Sequence, residues 1–347
     1  MPLQILVLEK NSVVLMLMKK ILVVGSGSWG TALVKILLED SETAVDWWVR
    51  SEDSANYINK NGRNPKYLRS VKLDLNRLTA SNNFEKMISE NETILLVTPS
   101  AFISDVIGPI ENALLKDKQI ISAIKGVEPK SLKILGEYLF DEKGISKDDF
   151  GVVTGPCHAE EVAQEKLSYL TFASTNSSFC EAMCAALDCS FIRVTPSADI
   201  YGTEISAVLK NVYAIASGIC HSLGYGDNFQ AVLVSNAIRE IKRFIAVVHP
   251  IDRDADDSAY LGDLLVTAYS QYSRNRTLGA MLGKGYSVKF ALMEMEMVAE
   301  GYYATESIKK LNDKYKVNMP ILDFVYNVIY GKKEVRKQAA ELSKLLN

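Results

Sequence analysis

Short, mostly apolar runs recur through the first part of the chain, most of them closed by a turn signal and followed by a stretch with helical periodicity. Residues 21–24 (Ile-Leu-Val-Val), 44–49, 93–97, 119–124, 152–154, 170–173 and 191–194 have this character. Runs of this length, mostly apolar, predict buried strands. Residues 31–38 read as the first crossover helix, ending near Asp40, and residues 51–70 as a turn-rich excursion. Ser100, after Thr98-Pro99, is placed to cap the next helix. Strands alternating with helices predict a doubly wound, mainly parallel α/β sheet. Its ligand site belongs beyond the carboxyl ends of the strands, where 25–30, Arg50, 98–100, Lys125 and 155–157 all fall.

Beyond about residue 200 the pattern changes. Residues 203–218 and 228–248 read as helices, as do 260–272, 286–300, 302–314, 320–331 and 333–346, with no strand pattern and no internal repeat. The expected organisation is therefore a dinucleotide-binding Rossmann domain at 18–196 and an all-α substrate and catalytic domain at 197–347. Residues 1–17 fit neither. Their apolar residues are split by Glu9, Lys10, Asn11 and Ser12, which is too short for a membrane span, and they lack the basic start and small-residue cleavage site of a signal peptide. Met18 is the expected natural start, with 1–17 an upstream extension.

Composition narrows the function. A net charge of -3 argues against a nucleic-acid surface, so an anionic substrate needs a local basic pocket. Five cysteines without a zinc-type spacing read as reduced, cytoplasmic thiols, and three scattered histidines make a metal site unexpected. No integral membrane segment is expected.

The glycines after the first strand carry the first chemical signal. Gly25 allows a tight turn, Gly27 lets the backbone approach a pyrophosphate, and Gly30 lets the helix pack on the strand. The helix N-terminus then faces the phosphates. The bland alternative is an ordinary glycine-rich loop.

The second signal is a lysine in the wrong company. Lys210 sits among small and apolar residues of the 203–218 helix. Burial would lower its pKa and suit it to general base work; a snorkelling side chain or a structural ion pair is the alternative. Asp263, before Leu264-Leu265-Val266-Thr267, is a candidate partner or else a helix cap. Ser273-Arg274-Asn275-Arg276 offers a guanidinium fork and amide donors for a phosphate, or simply a solvated helix end.

These segments together resemble the bacterial type of NAD(P)-dependent glycerol-3-phosphate dehydrogenase. The resemblance runs from about residue 18 to residue 330. It rests on Gly25-Ser26-Gly27-Ser28-Trp29-Gly30, Lys125-Gly126, Gly155-Pro156-Cys157-His158-Ala159-Glu160-Glu161, Leu209-Lys210-Asn211, Leu261-Gly262-Asp263-Leu264, Ser273-Arg274-Asn275-Arg276 and Glu300-Gly301-Tyr302. The resemblance implies reversible reduction of dihydroxyacetone phosphate to sn-glycerol 3-phosphate, a phospholipid precursor. It makes Lys210 the proton acceptor and puts Lys125 and Asp263 at the reacting carbon. It assigns Gly155, Cys157, Asn211, Thr267, Ser273, Arg274 and Asn275 to substrate. Ser28, Trp29, Lys125, Ala159, Arg274, Val298 and Glu300 go to the cofactor. Two positions depart from the family pattern: Cys157 replaces a hydroxyl or amide residue, and Tyr260 replaces a glycine.

Arg50, at the end of the second strand, replaces the acid usual in NAD-selective sites. That favours NADPH, with NAD as the alternative, since Arg50 could instead stack on adenine and Asp53 lies nearby. Met293, Met295 and Met297 could form the apolar face of a homodimer. Two rival readings remain at this level: a β-hydroxyacid dehydrogenase of similar architecture, and a non-catalytic NADP-binding sensor.

Overall fold

A computed structural model describes residues 20–295 and 298–347. The expected extension, the start at Met18, and Met297 lie outside the described residues.

Eight strands form one sheet in the order β3-β2-β1-β4-β5-β6-β7-β8. They are β1 (Lys20–Val24), β2 (Ala44–Trp48), β3 (Leu78–Ser81), β4 (Thr93–Leu96), β5 (Gln119–Ser122), β6 (Phe150–Thr154), β7 (Ser168–Ala173) and β8 (Ile192–Ser197). The apolar run of β1 has a simple cause. Ile21 and Val23 enter one core while Leu22 and Val24 enter the core on the opposite face. Both faces are covered by helices, so neither parity of the strand can be polar. Strand β3, short and half-polar, has no such run and is not evident in the sequence.

The first six strands are parallel. Strand β7 is antiparallel to β6, and β8 follows β7. The 155–167 connection therefore turns back at the same rim where β1, β4 and β5 end, adding a segment of wall to it. Strand β8 runs away from that rim and ends at the opposite edge.

The helices needed below are α1 (Ser28–Glu39), α2 (Glu52–Asn61), α3 (Ala159–Ala163), α4 (Ile200–Ser222), α5 (Asp263–Tyr269), α6 (Arg274–Gly283) and α7 (Glu300–Tyr315). Helix α2 occupies half of the expected turn-rich excursion. The expected helix over 286–300 is instead two elements: Val288–Glu294 ends, and α7 begins at Glu300. Helix α6 is absent from the sequence reading. Ser100 does not cap the next helix, which starts at Ile103 behind Phe102 with no side-chain cap.

Helix α4 begins at the far edge of the sheet and climbs back towards the rim. At 23 residues it is about 35 Å long by the usual rise. All its residues but Tyr201, His221 and Ser222 are buried, because other helices surround it. Helix α6 lies closest. A Cβ on Gly279 would stand 2.1 Å from the carbonyl oxygen of Ile215. Gly279→Ala is therefore expected to cost about 3 kcal/mol, since backbone must move to admit the methyl group. An unchanged urea midpoint would contradict this contact. No helix among the described residues is long and apolar enough to cross a membrane.

Candidate active site

A cavity of about 490 Å³ opens at the rim between the sheet and the helical part. On the sheet side it is bounded by the turn after β1. Gly25 takes a φ of +123°, and its carbonyl receives the indole N–H of buried Trp47 at 2.9 Å. A Cβ on Gly30 would meet the Gly25 carbonyl oxygen at 2.3 Å, so α1 can start this close only without a side chain. Asn64 pins the loop from the other side, donating to the Ser26 carbonyl at 2.9 Å and to Thr31 Oγ1 at 2.8 Å. It thereby brings Lys66 and Tyr67 to the cavity, two residues the sequence did not single out.

The catalytic candidates meet across the cavity. Asp263, the first residue of α5, follows a single π-helical turn, Ser258–Gly262. Lys210 Nζ donates to Asp263 Oδ1. Lys125 Nζ lies 3.9 Å from Oδ2, which also accepts the Thr154 hydroxyl at 3.3 Å. Lys210 and Asp263 are almost fully buried. Burial, with the repulsion of Lys125 added to it, lowers the Lys210 pKa to about 7 against the pull of Asp263. Lys125 also lies over the Trp29 ring, 5.6 Å from its centre.

The departure at Tyr260 is explained here. Its hydroxyl donates to Asp199 Oδ2 at 2.5 Å, beside Arg253 Nε at 2.7 Å. Asp199 is the N-cap of α4, accepting from Gly202 N at 2.9 Å. One carboxylate thus ties the turn that presents Asp263 to the helix that presents Lys210.

The polar segment 273–276 divides by role. Ser273 caps α6, and Arg274 opens it towards the cavity. Asn275 donates to Asn211 Oδ1 at 2.8 Å and accepts from Gly301 N at 2.8 Å. Asn211 donates to the carbonyls of Lys125 and Ala207, both at 3.2 Å. These two amides therefore hold four chain segments in register. Arg276 does not line the cavity among the described residues, so the expected two-arginine fork reduces to Arg274 and the N-terminus of α6.

Glu300 begins α7 and is half-buried. It accepts from Ser100 Oγ at 2.6 Å and Ser100 N at 3.3 Å, which is where the expected cap went. Burial raises its pKa, against those two bonds. Gly25, Gly27, Ser28, Trp29, Arg50, Cys157, Ala159, Thr267 and Val298 line the same cavity. Gly155 does not; at φ +125° it turns the chain after β6. Asp53 is likewise absent from the lining, whereas Ser51 and Ser54 are present beside Arg50. Burial pushes the Cys157 thiol up to about 12, so it stays protonated. Met293 is exposed, while Met295 packs against the helical core.

The lining suits a dinucleotide. A Cβ at Gly27 would meet nothing within 4 Å, leaving the backbone open to a phosphate. Of the five buried side-chain atoms without a hydrogen-bond partner among the described residues, three belong to cavity residues: Trp29, Thr98 and His158.

Comparison with known proteins agrees. Family models for the NAD-dependent glycerol-3-phosphate dehydrogenase N-terminus and C-terminus match residues 20–180 and 199–340. The chain belongs to the NAD-dependent glycerol-3-phosphate dehydrogenase family. The Clostridium botulinum glycerol-3-phosphate dehydrogenase [NAD(P)+] is 34% identical over 94% of this chain and 97% of its own. That of Staphylococcus haemolyticus is 34% identical over 94% and 98%. The crystal structure of the Coxiella burnetii glycerol-3-phosphate dehydrogenase superposes with a TM-score of 0.87, at 29% identity, over 94% of this chain and 99% of that one. The chain is thus an oxidoreductase, and the sensor reading falls.

Proposed function

We propose that this glycerol-3-phosphate dehydrogenase reduces dihydroxyacetone phosphate to sn-glycerol 3-phosphate, reversibly, in the cytoplasm, and so feeds glycerophospholipid synthesis. The observation that carries the reading is the buried Lys210–Asp263 pair with Lys125 beside it, facing the same cavity as the glycine turn and Arg274.

When bound, NAD(P)H supplies the hydride, and NAD(P)+ accepts it in reverse. Ser28, Trp29 and the bare N–H groups of α1 would hold its phosphates, and Ala159, Val298 and Glu300 its nicotinamide half. Arg274 and the N-terminus of α6 hold the substrate phosphate, so remote binding energy orients the ketone. Protonated Lys210 gives its proton to the oxygen as alkoxide charge develops there, and Lys125 stabilises that charge. Neutral Lys210 takes the proton back in the oxidation direction. With its pKa near 7, Lys210 has both forms available at neutral pH. The exposed Tyr286, Phe290 and Met293 offer the apolar face for a homodimer in this reading.

The test follows nicotinamide absorbance on adding dihydroxyacetone phosphate to the purified chain, with NADPH and NADH in parallel. Cofactor bound without turnover would sink the reading.

NADPH is the preferred cofactor in this proposal, because Arg50, just after β2, lines the cavity and Asp53 stays off the lining. Arg50→Asp is expected to lower the ratio of kcat/KM for NADPH over NADH about 10-fold or more. Equal losses with both cofactors would assign Arg50 to adenine stacking.

A further inference from the structure

Dihydroxyacetone phosphate has a carbonyl, a phosphate and a terminal hydroxyl. The first two have donors in the cavity. The hydroxyl needs an acceptor, and the acceptors near Lys210 are mostly spent. Asp263 accepts from Lys210 and Thr154 and faces Lys125. Asn211 and Asn275 have their oxygens on Asn275 Nδ2 and Gly301 N. The Thr267 hydroxyl donates to the Asp263 carbonyl at 2.7 Å, within its own helix. The Cys157 thiol is a weak partner. Thr98 is unpaired but lies beside Gly25, on the nucleotide side.

His158 remains. It lines the cavity next to Cys157, and its ring lies 6.2 Å from that of Tyr272, the residue preceding the α6 cap. It therefore sits between the lysine cluster and the phosphate end. Its Nε2 is buried with no hydrogen-bond partner. Burial and the charges of Lys210 and Lys125 push its pKa down to about 4. A neutral imidazole always keeps one nitrogen lone pair.

We infer that His158 accepts the hydrogen bond of the substrate's terminal hydroxyl and so makes the site select a hydroxymethyl ketone over a methyl ketone. A site built to pair a substrate hydroxyl discriminates strongly against the analogue that lacks it. This role rests on the reaction proposed above.

The probe is hydroxyacetone phosphate, which differs from dihydroxyacetone phosphate only in lacking that hydroxyl. The unaltered chain is expected to prefer dihydroxyacetone phosphate by about 100-fold or more in kcat/KM. His158→Phe, which keeps a ring, is expected to lower kcat/KM for dihydroxyacetone phosphate about 10-fold and leave hydroxyacetone phosphate unchanged. His158→Asn, which restores an acceptor, should recover part of the preference. A purely structural role would lower both substrates together, and an unchanged preference in active His158→Phe enzyme overturns the inference alone. If the unaltered chain fails to reduce dihydroxyacetone phosphate, the reaction and this role fall together.

Discussion

Lys210→Ala is expected to lower kcat about a thousandfold in both directions while leaving NADPH affinity within a few fold. In the reaction proposed above the lysine exchanges a proton with the reacting oxygen, and it belongs to α4, whereas the glycine turn follows β1. The pH dependence of the unaltered enzyme carries the same information with opposite signs. Ketone reduction needs the charged form, so its kcat/KM falls as pH rises through about 7, the Lys210 value. Alcohol oxidation needs the neutral form and falls as pH drops through the same value. Stopped assays in both directions, with fluorescence titration of NADPH, check the prediction. A mutant with residual activity above a tenth of the original, or two profiles bending the same way, would move proton transfer to another group.

The strands were legible because burial on both faces leaves few polar positions, so β1, β2, β4 and β5 are mostly apolar, Asp46 in β2 being the buried charge among them. The rim was legible for a related reason: in an open sheet, residues after consecutive parallel strands converge. Strand direction is not written in composition, so the reversal at β7 became visible only in the structure. Helix α6 was hidden because Gly279 and Gly283 depress its helical propensity; they are there for contact with α4. Lys210 and Asp263 stood out as charges in apolar company. His158 and Asn64 did not, and Ser100 pointed to a local cap, because a polar residue in a loop looks the same whether its partner is water, a distant carbonyl or a ligand. The Ser100 hydroxyl meets Glu300, two hundred positions away, and no local pattern predicts that.

Asp263→Asn tests how the lysine is tuned. The substitution preserves shape and removes the one negative charge between Lys210 and Lys125. The carboxylate holds the Lys210 proton against burial and against Lys125, so without it the Lys210 pKa drops further. At neutral pH the lysine is then mostly neutral and cannot give a proton to the ketone. Reduction is expected to fall about 100-fold, and the descending limb of its pH profile to move to lower pH. Folding should suffer less than the loss of a buried ion pair would suggest, because Lys210 can shed its proton and leave no unpaired buried charge. Lys125→Met is the opposing control. It removes a repelling cation, so the Lys210 limb should move to higher pH even as kcat falls through loss of a charge beside the oxygen. Opposite displacements in the two variants are difficult to produce by general disruption of the site. A limb that stays in place in both would mean that burial alone sets the Lys210 proton affinity, and that Asp263 only orients the amine.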